Sequence, residues 1–133
     1  MKIIWTNGCF DILHRGHMEM FKHAKLLGHK LIVGIDSDNK VKKDKGEDRP
    51  INNQYDRKYF LESIKWIDEV IIFNTQQELE SVLQYIKPNI MVVGSDWEGQ
   101  NIVGSQYAGD IRYFKRMGNY STSNIIDKIR RKI

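Results

Sequence analysis

Two imidazoles three residues apart, His14 and His17, flank Gly16 where an apolar run gives way to an amphipathic segment. Residues at i and i+3 share one helical face, so both rings can address the same group. Ile3-Ile4-Trp5-Thr6 reads as a buried strand and Asn7-Gly8 as a turn; Met20, Phe21, Ala24 and Leu27 then fall at helical spacing, with Gly28 as a natural stop. The pair therefore sits at a helix N-terminus, where unpaired N–H groups and a partial positive charge attract anions. Gly16 would let a phosphate come close to the backbone. Strand, glycine loop and helix in that order is a setting in which nucleotide phosphates are held.

A zinc pair is the competing chemistry for His-x-x-His, but no cysteine or convincing third ligand accompanies it. Cys9 has no evident activating partner and reads as a small loop residue rather than a nucleophile. The stretch Gly8-Cys9-Phe10-Asp11-Ile12-Leu13-His14-Arg15-Gly16-His17 resembles the signature of the nucleotidyltransferase superfamily marked by His-x-Gly-His, in its cytidylyltransferase-like branch. Further similar blocks follow in order: Lys45-Gly46-Glu47-Asp48-Arg49-Pro50, Gln54-Tyr55-Asp56-Arg57, Val93-Gly94-Ser95-Asp96-Trp97 and Tyr120-Ser121-Thr122.

The resemblance implies transfer of a nucleoside monophosphate from a triphosphate, ATP or CTP, to a small phosphorylated sugar or polyol, with release of pyrophosphate. Positioning and charge stabilisation would carry that chemistry, with no protein nucleophile. It assigns His14, His17, Lys45 and Arg116 to catalysis, and Gly8, Cys9, Phe10, Asp11, Gly16, Ser121 and Thr122 to the nucleotide. Lys42, Arg57, Asp96 and Trp97 go to the acceptor side. Lys42, Lys43 and Lys45 are the candidates for a phosphate-reaching lysine, with Lys45 preferred because it adjoins Gly46. Asp96 could instead serve a ribose or a hydrated Mg²⁺, and Trp97 a stacking face. Arg57 opens a helix against its dipole, which favours a contact with phosphate over a purely structural role.

The acceptor stays open between two patterns. Lys45–Pro50 and Asn101-Ile102-Val103-Gly104 resemble the heptose-phosphate adenylyltransferase domain; Asp96-Trp97-Glu98-Gly99 and Arg116 resemble glycerol-3-phosphate cytidylyltransferase. A flavin-phosphate adenylyltransferase and a catalytically silent nucleotide-binding module are weaker alternatives. Gly118-Asn119 stands where the family commonly has Glu-Gly, and Ser123 replaces a second Thr, which leaves the base open. Mg²⁺ is expected to arrive with the triphosphate, with no metal site of the chain's own, and a homodimer is usual in the family.

The elements that must position these residues alternate strand and helix. Strands are expected at 3–6, 30–35, 69–73, 90–94 and 111–114, and helices at 17–27, 54–66, 77–86 and 123–131, with a short helical piece near 103–109. This pattern predicts a single Rossmann-like α/β domain over 1–133: a doubly wound parallel five-stranded sheet in the order 3-2-1-4-5, helices on both faces. The long stretch from Asp36 to Asn53 reads as an irregular, lysine-rich loop. Of the 133 residues, 41% are hydrophobic and 29% charged, the balance of a globular domain, and no apolar run is long enough to span a bilayer. A net charge of +4 without a recognised binding module argues against nucleic acid, and one cysteine with no leader-like start fits the cytoplasm.

Overall fold

The computed structural model describes residues 1–116, 118 and 120–133. Its five strands are β1 (Ile3–Gly8), β2 (Lys30–Asp36), β3 (Glu69–Phe73), β4 (Ile90–Gly94) and β5 (Asp110–Phe114). They form one parallel sheet in the order β3-β2-β1-β4-β5, as the alternation predicts. The helices are α1 (Arg15–Leu26), α2 (Asp38–Lys45), α3 (Gln54–Glu62), α4 (Gln76–Ile86) and α5 (Thr122–Lys132).

Strand side chains alternate between two cores, as a period of two requires. Ile4, Leu31, Val33, Ile35, Val70 and Val92 face Phe21 and Ala24 of α1 and Leu61 of α3. Trp5, Ile32 and Met91 face the other way, onto Leu79 and Leu83 of α4. Helices thus cover both faces. Gly34 makes room for Trp5, since a Cβ there would lie 2.4 Å from the indole ring.

β1 is paired with β2 along its whole length, from Ile3↔Lys30 to Gly8↔Ile35. Its ladder with β4 runs only through Ile4↔Ile90 and Trp5↔Met91. Beyond Trp5 the two strands part, opening a crevice at their carboxyl ends. This is the position at which strand order reverses and ligands bind in open α/β sheets.

The stretch expected to be irregular contains α2. Ser37 caps it, its Oγ accepting from the Lys40 N–H at 3.2 Å, and Asp38 lies in the first turn with Lys42, Lys43 and Lys45 in the last. Both ends therefore complement the helix dipole. Val41 is the one residue of the helix that is buried, so no apolar period announces it. α3 ends earlier than expected, at Glu62, where Ser63 closes it.

Arg57 of α3 ties these segments together. Its side chain is fully buried, and it donates from Nε to the Asn52 carbonyl at 3.0 Å and from Nη1 to the carbonyls of Cys9 and Asp36, both at 2.8 Å. Its Nη2 bonds to Asp38 Oδ1 at 2.9 Å. The guanidinium fork thus joins the ends of β1 and β2, the start of α2 and the segment before α3. Its expected place at the acceptor is corrected: the side chain is fully buried and these bonds take four of its five N–H donors inside the protein.

Replacing Arg57 by Met leaves three partly buried carbonyls and one carboxylate without this donor. The expected loss, read by urea denaturation, is about 3–5 kcal/mol. A loss below about 1 kcal/mol would show that the network is dispensable.

Candidate active site

The crevice is a cavity of about 540 Å³. Its floor is the end of β1 and the start of α1: Asn7, Gly8, Cys9, Phe10, His14, Gly16 and His17. On the β2–β3 flank it is lined by Asp36, Lys40, Asp44, Lys45 and Phe73. On the β4–β5 flank it is lined by Gly94, Asp96, Trp97, Phe114, Arg116 and Tyr120.

His14 takes an extended conformation (φ −143°, ψ 176°) as the cap of α1, and His17 is the third residue of that helix. The rings stack with centroids 3.7 Å apart. His17 Nδ1 accepts the His14 backbone N–H at 3.2 Å. The proton of a neutral His17 therefore sits on Nε2, free to donate to a ligand. Phe10 meets His17 edge-on at 5.4 Å and Phe21 at 5.2 Å, holding the imidazole from behind. Phe10 does so from a left-handed backbone conformation, φ 48°, a strain kept where the surrounding packing fixes it.

Burial pushes His17 down to about 3, with His14, Arg116 and Lys45 acting in the same direction. His14 is also lowered, by burial and then by Arg116. Both rings are thus neutral near pH 7 in the free protein. His14 Nδ1 is buried without a hydrogen-bond partner among the described residues. Such an orphan at the mouth of a helix N-terminus is a position a ligand atom can satisfy.

Gly16 has a reason beyond close phosphate approach. A Cβ there would lie 2.9 Å from His14 Cε1 and 3.0 Å from its Nδ1, so any side chain would displace the ring. Gly8 is similarly packed under the Phe10 ring, whose atoms a Cβ would meet at 3.1 Å. Burial raises the Cys9 thiol above its usual range against the pull of Lys45 and Arg57, so the thiol stays protonated.

α2 settles which lysine faces the site. Lys40 and Asp44, four apart, line the cavity together with Lys45, which follows Val41 by one turn. Lys42 and Lys43 are not among the lining residues, so the expected place of Lys42 on the acceptor side is corrected. Lys40, Asp44 and Asp36 carry no signal in the sequence; their i, i+4 spacing becomes informative only once the segment is known to be helical.

Asp11 is also relocated. Its buried carboxylate accepts from the Ile51 N–H at 2.6 Å and the Asn52 N–H at 2.8 Å, with Arg49 Nε at 3.6 Å. It clamps the loop after β1 to the segment before α3 and does not line the cavity. Ser121 caps α5 by accepting from the Asn124 N–H at 3.0 Å, and Thr122 Oγ1 donates to the Ile12 carbonyl at 2.7 Å. Thr122 thus holds the start of α5 against the same loop, and neither residue is among the lining residues. Asn119 lies outside the described residues. Among the described residues, no three His, Cys, Asp or Glu side chains are grouped as metal ligands. Nor is any helix among them long and apolar enough to cross a membrane.

A family model described as cytidylyltransferase-like matches residues 5–128. The bifunctional protein HldE of a Nitratiruptor species is 45% identical over 129 residues, covering 97% of this chain and 28% of that protein. The HldE of Aliarcobacter butzleri is 45% identical over 128 residues, covering 96% of this chain and 27% of that protein. The chain thus spans under a third of the length of these relatives. Among solved structures, the lipopolysaccharide core biosynthesis protein from Thermoplasma volcanium matches with a TM-score of 0.67 at 25% identity, over 91% of this chain and 99% of that one. A pantothenate synthetase from Thermus thermophilus matches with a TM-score of 0.66 at 13% identity, over 99% of this chain and 64% of that one, a likeness of fold alone.

The lowered value of His17 makes a pH prediction. An unfolded histidine takes up a proton near pH 6.5 and the folded His17 only near 3, so between these values the unfolded state binds more protons. Stability contributed by neutral His17 is complete above about pH 6.5 and is lost as the pH falls toward 3. In ¹⁵N–¹H spectra of the ligand-free protein, the His17 ring should keep its Nε2–H form from about pH 8 to about pH 5. A midpoint near 6.5 would contradict the buried, neutral assignment.

Proposed function

This chain belongs to the cytidylyltransferase-like family, and on that premise we propose that it joins a nucleotide to a sugar phosphate. The reaction we infer is adenylyl transfer from ATP to a heptose 1-phosphate, giving an ADP-sugar and pyrophosphate. The stacked His14–His17 pair at the head of α1, facing a cavity flanked by Lys45 and Arg116, carries the reaction class. The identity with HldE along nearly the whole chain, joined to the Lys45–Pro50 block, favours the heptose-phosphate adenylyltransferase reading over transfer of a cytidylyl group to glycerol 3-phosphate.

In this reading an acceptor phosphate oxygen attacks the α-phosphorus, and the bond from that phosphorus to the β-phosphate bridging oxygen breaks as pyrophosphate leaves. The protein supplies no nucleophile. His17 donates from Nε2 to a phosphoryl oxygen as charge builds, and His14 makes a second phosphate contact through its own ring nitrogen. Both rings being neutral, they act as aimed donors rather than as cations. The first N–H groups of α1 add their partial positive charge. Lys45 and Arg116 stand on opposite flanks and balance charge on the triphosphate and the acceptor phosphate.

Mg²⁺ enters as part of the substrate, MgATP, because the ion's natural ligands here are phosphate oxygens. Tyr120 and Trp97, both partly exposed on the β4–β5 flank, offer open ring faces for the base. We place the chain in the cytoplasm, where its single cysteine stays a thiol, and infer a homodimer from the family resemblance.

Pyrophosphate release should be fast with ATP and D-glycero-D-manno-heptose 1-phosphate and slow with CTP and glycerol 3-phosphate; the opposite ranking would reverse the assignment. His17→Ala should lower kcat by about 100-fold or more at saturating substrates while the fold persists. Near-normal turnover would remove the histidine from the chemistry. Excess EDTA should abolish the reaction, and full activity in its presence would show that the ion is unnecessary.

A further inference from the structure

The β2–β3 flank of the cavity holds an ion cluster that phosphate chemistry leaves unexplained. Asp36 closes β2, and Lys40 and Asp44 follow it at one-turn intervals along α2. Lys40 Nζ lies 2.8 Å from Asp44 Oδ2 and 3.6 Å from Asp36 Oδ1, and 5.8 Å over the ring of Phe73. The Asp36 side chain is 15% exposed and that of Lys40 22%, so both are largely withdrawn from water. Burying such ions costs more than filling the same volume with apolar side chains, which makes stability a poor reason for them.

Lys40 is held between two carboxylates and is not a free cation for phosphate, unlike Lys45 beside it. The cluster therefore belongs to a part of the substrate that carries no phosphate. Its atoms suit hydroxyl groups, which donate to carboxylates and accept from an ammonium in the same contact. Among the described residues the Asp36 carboxylate has Lys40 as its side-chain partner and keeps acceptor capacity for more. The rings suited to a base lie on the opposite flank, with Trp97 and Tyr120, and the histidines and α1, which would hold the phosphates in the proposed reaction, lie between the two.

We propose that Asp36, Lys40 and Asp44 bind the hydroxyl groups of the acceptor's carbon chain and thereby select a long polyhydroxylated acceptor over a shorter one. The proposal rests on the sugar-phosphate nucleotidyltransferase reading above. A site built to hydrogen-bond a substrate hydroxyl rejects the analogue that lacks it, because its polar groups are then left unpaired.

The test compares D-glycero-D-manno-heptose 1-phosphate with mannose 1-phosphate, which lacks the terminal hydroxymethyl extension, at saturating MgATP. Wild type should prefer the heptose in kcat/KM. In Lys40→Met and Asp44→Asn that preference should fall by about tenfold, with the KM for MgATP within about twofold of wild type. Asp44 is exposed and its amide is nearly isosteric, so this variant keeps the fold if Lys40→Met does not. Equal losses for both sugars, or a rise in the MgATP KM alone, would overturn the role of the cluster while leaving the reaction intact. A wild-type protein that makes no nucleotide-sugar from either acceptor would overturn the underlying functional reading, and the cluster's role with it.

Discussion

The buried guanidinium of Arg57 is the constraint on which the site depends. Strand ends are places where carbonyls lose their ladder partners, and the chain leaves the sheet at the ends of β1 and β2 on its way into two different helices. Arg57 holds both exits at once, a single Nη1 donating to the Cys9 and Asp36 carbonyls together. A planar fork with several donors suits this geometry, and a lysine would not reproduce it. The charge is tolerated inside because Asp38 and three carbonyls surround it. Asp11 repeats the device with opposite sign, accepting backbone N–H groups from the segment before α3. Between them the two buried charges fix the histidine loop over the sheet and the point at which α2 leaves it.

On that frame the histidines are prepared for anions without being cations. Burial keeps both rings neutral, helped at His17 by His14 and at both by Arg116, while the backbone bond to His17 Nδ1 aims its remaining N–H outward. A charged imidazolium would bind the ground-state triphosphate strongly. A fixed neutral donor instead gains most when charge develops on the phosphoryl oxygens, which is where transition-state selectivity arises. In the proposed reaction the cationic contribution falls to longer side chains at the flanks, Lys45 and Arg116, and to the backbone of α1.

Periodicity and local motif make much of this fold legible in the sequence. The alternation of apolar runs locates all five strands, and the order 3-2-1-4-5 follows from placing the unusual residues at adjacent strand ends. α2 is illegible because a single residue, Val41, anchors it; its caps and charges make a helix without an apolar stripe. With α2 hidden, the phase that separates Lys45 from Lys42 is hidden too, as is the i, i+4 relation of Asp36, Lys40 and Asp44. Arg57 and Asp11 escape a sequence reading for a different reason. Whether a charged residue reaches substrate or is spent on carbonyls and amides from distant segments is decided by tertiary packing, which no local pattern encodes.

In the proposed reaction an acceptor phosphate oxygen attacks the α-phosphorus in the crevice, and the protein contributes position and charge. The most direct measurement of this uses heptose 1-phosphate carrying ¹⁸O in its phosphate, reacted with MgATP and followed by ³¹P spectroscopy. One ¹⁸O should appear in the bridge between the two phosphorus atoms of the ADP-sugar, and the released pyrophosphate should be unlabelled. Label in pyrophosphate, or a nucleotide-sugar without a labelled bridge, would contradict it.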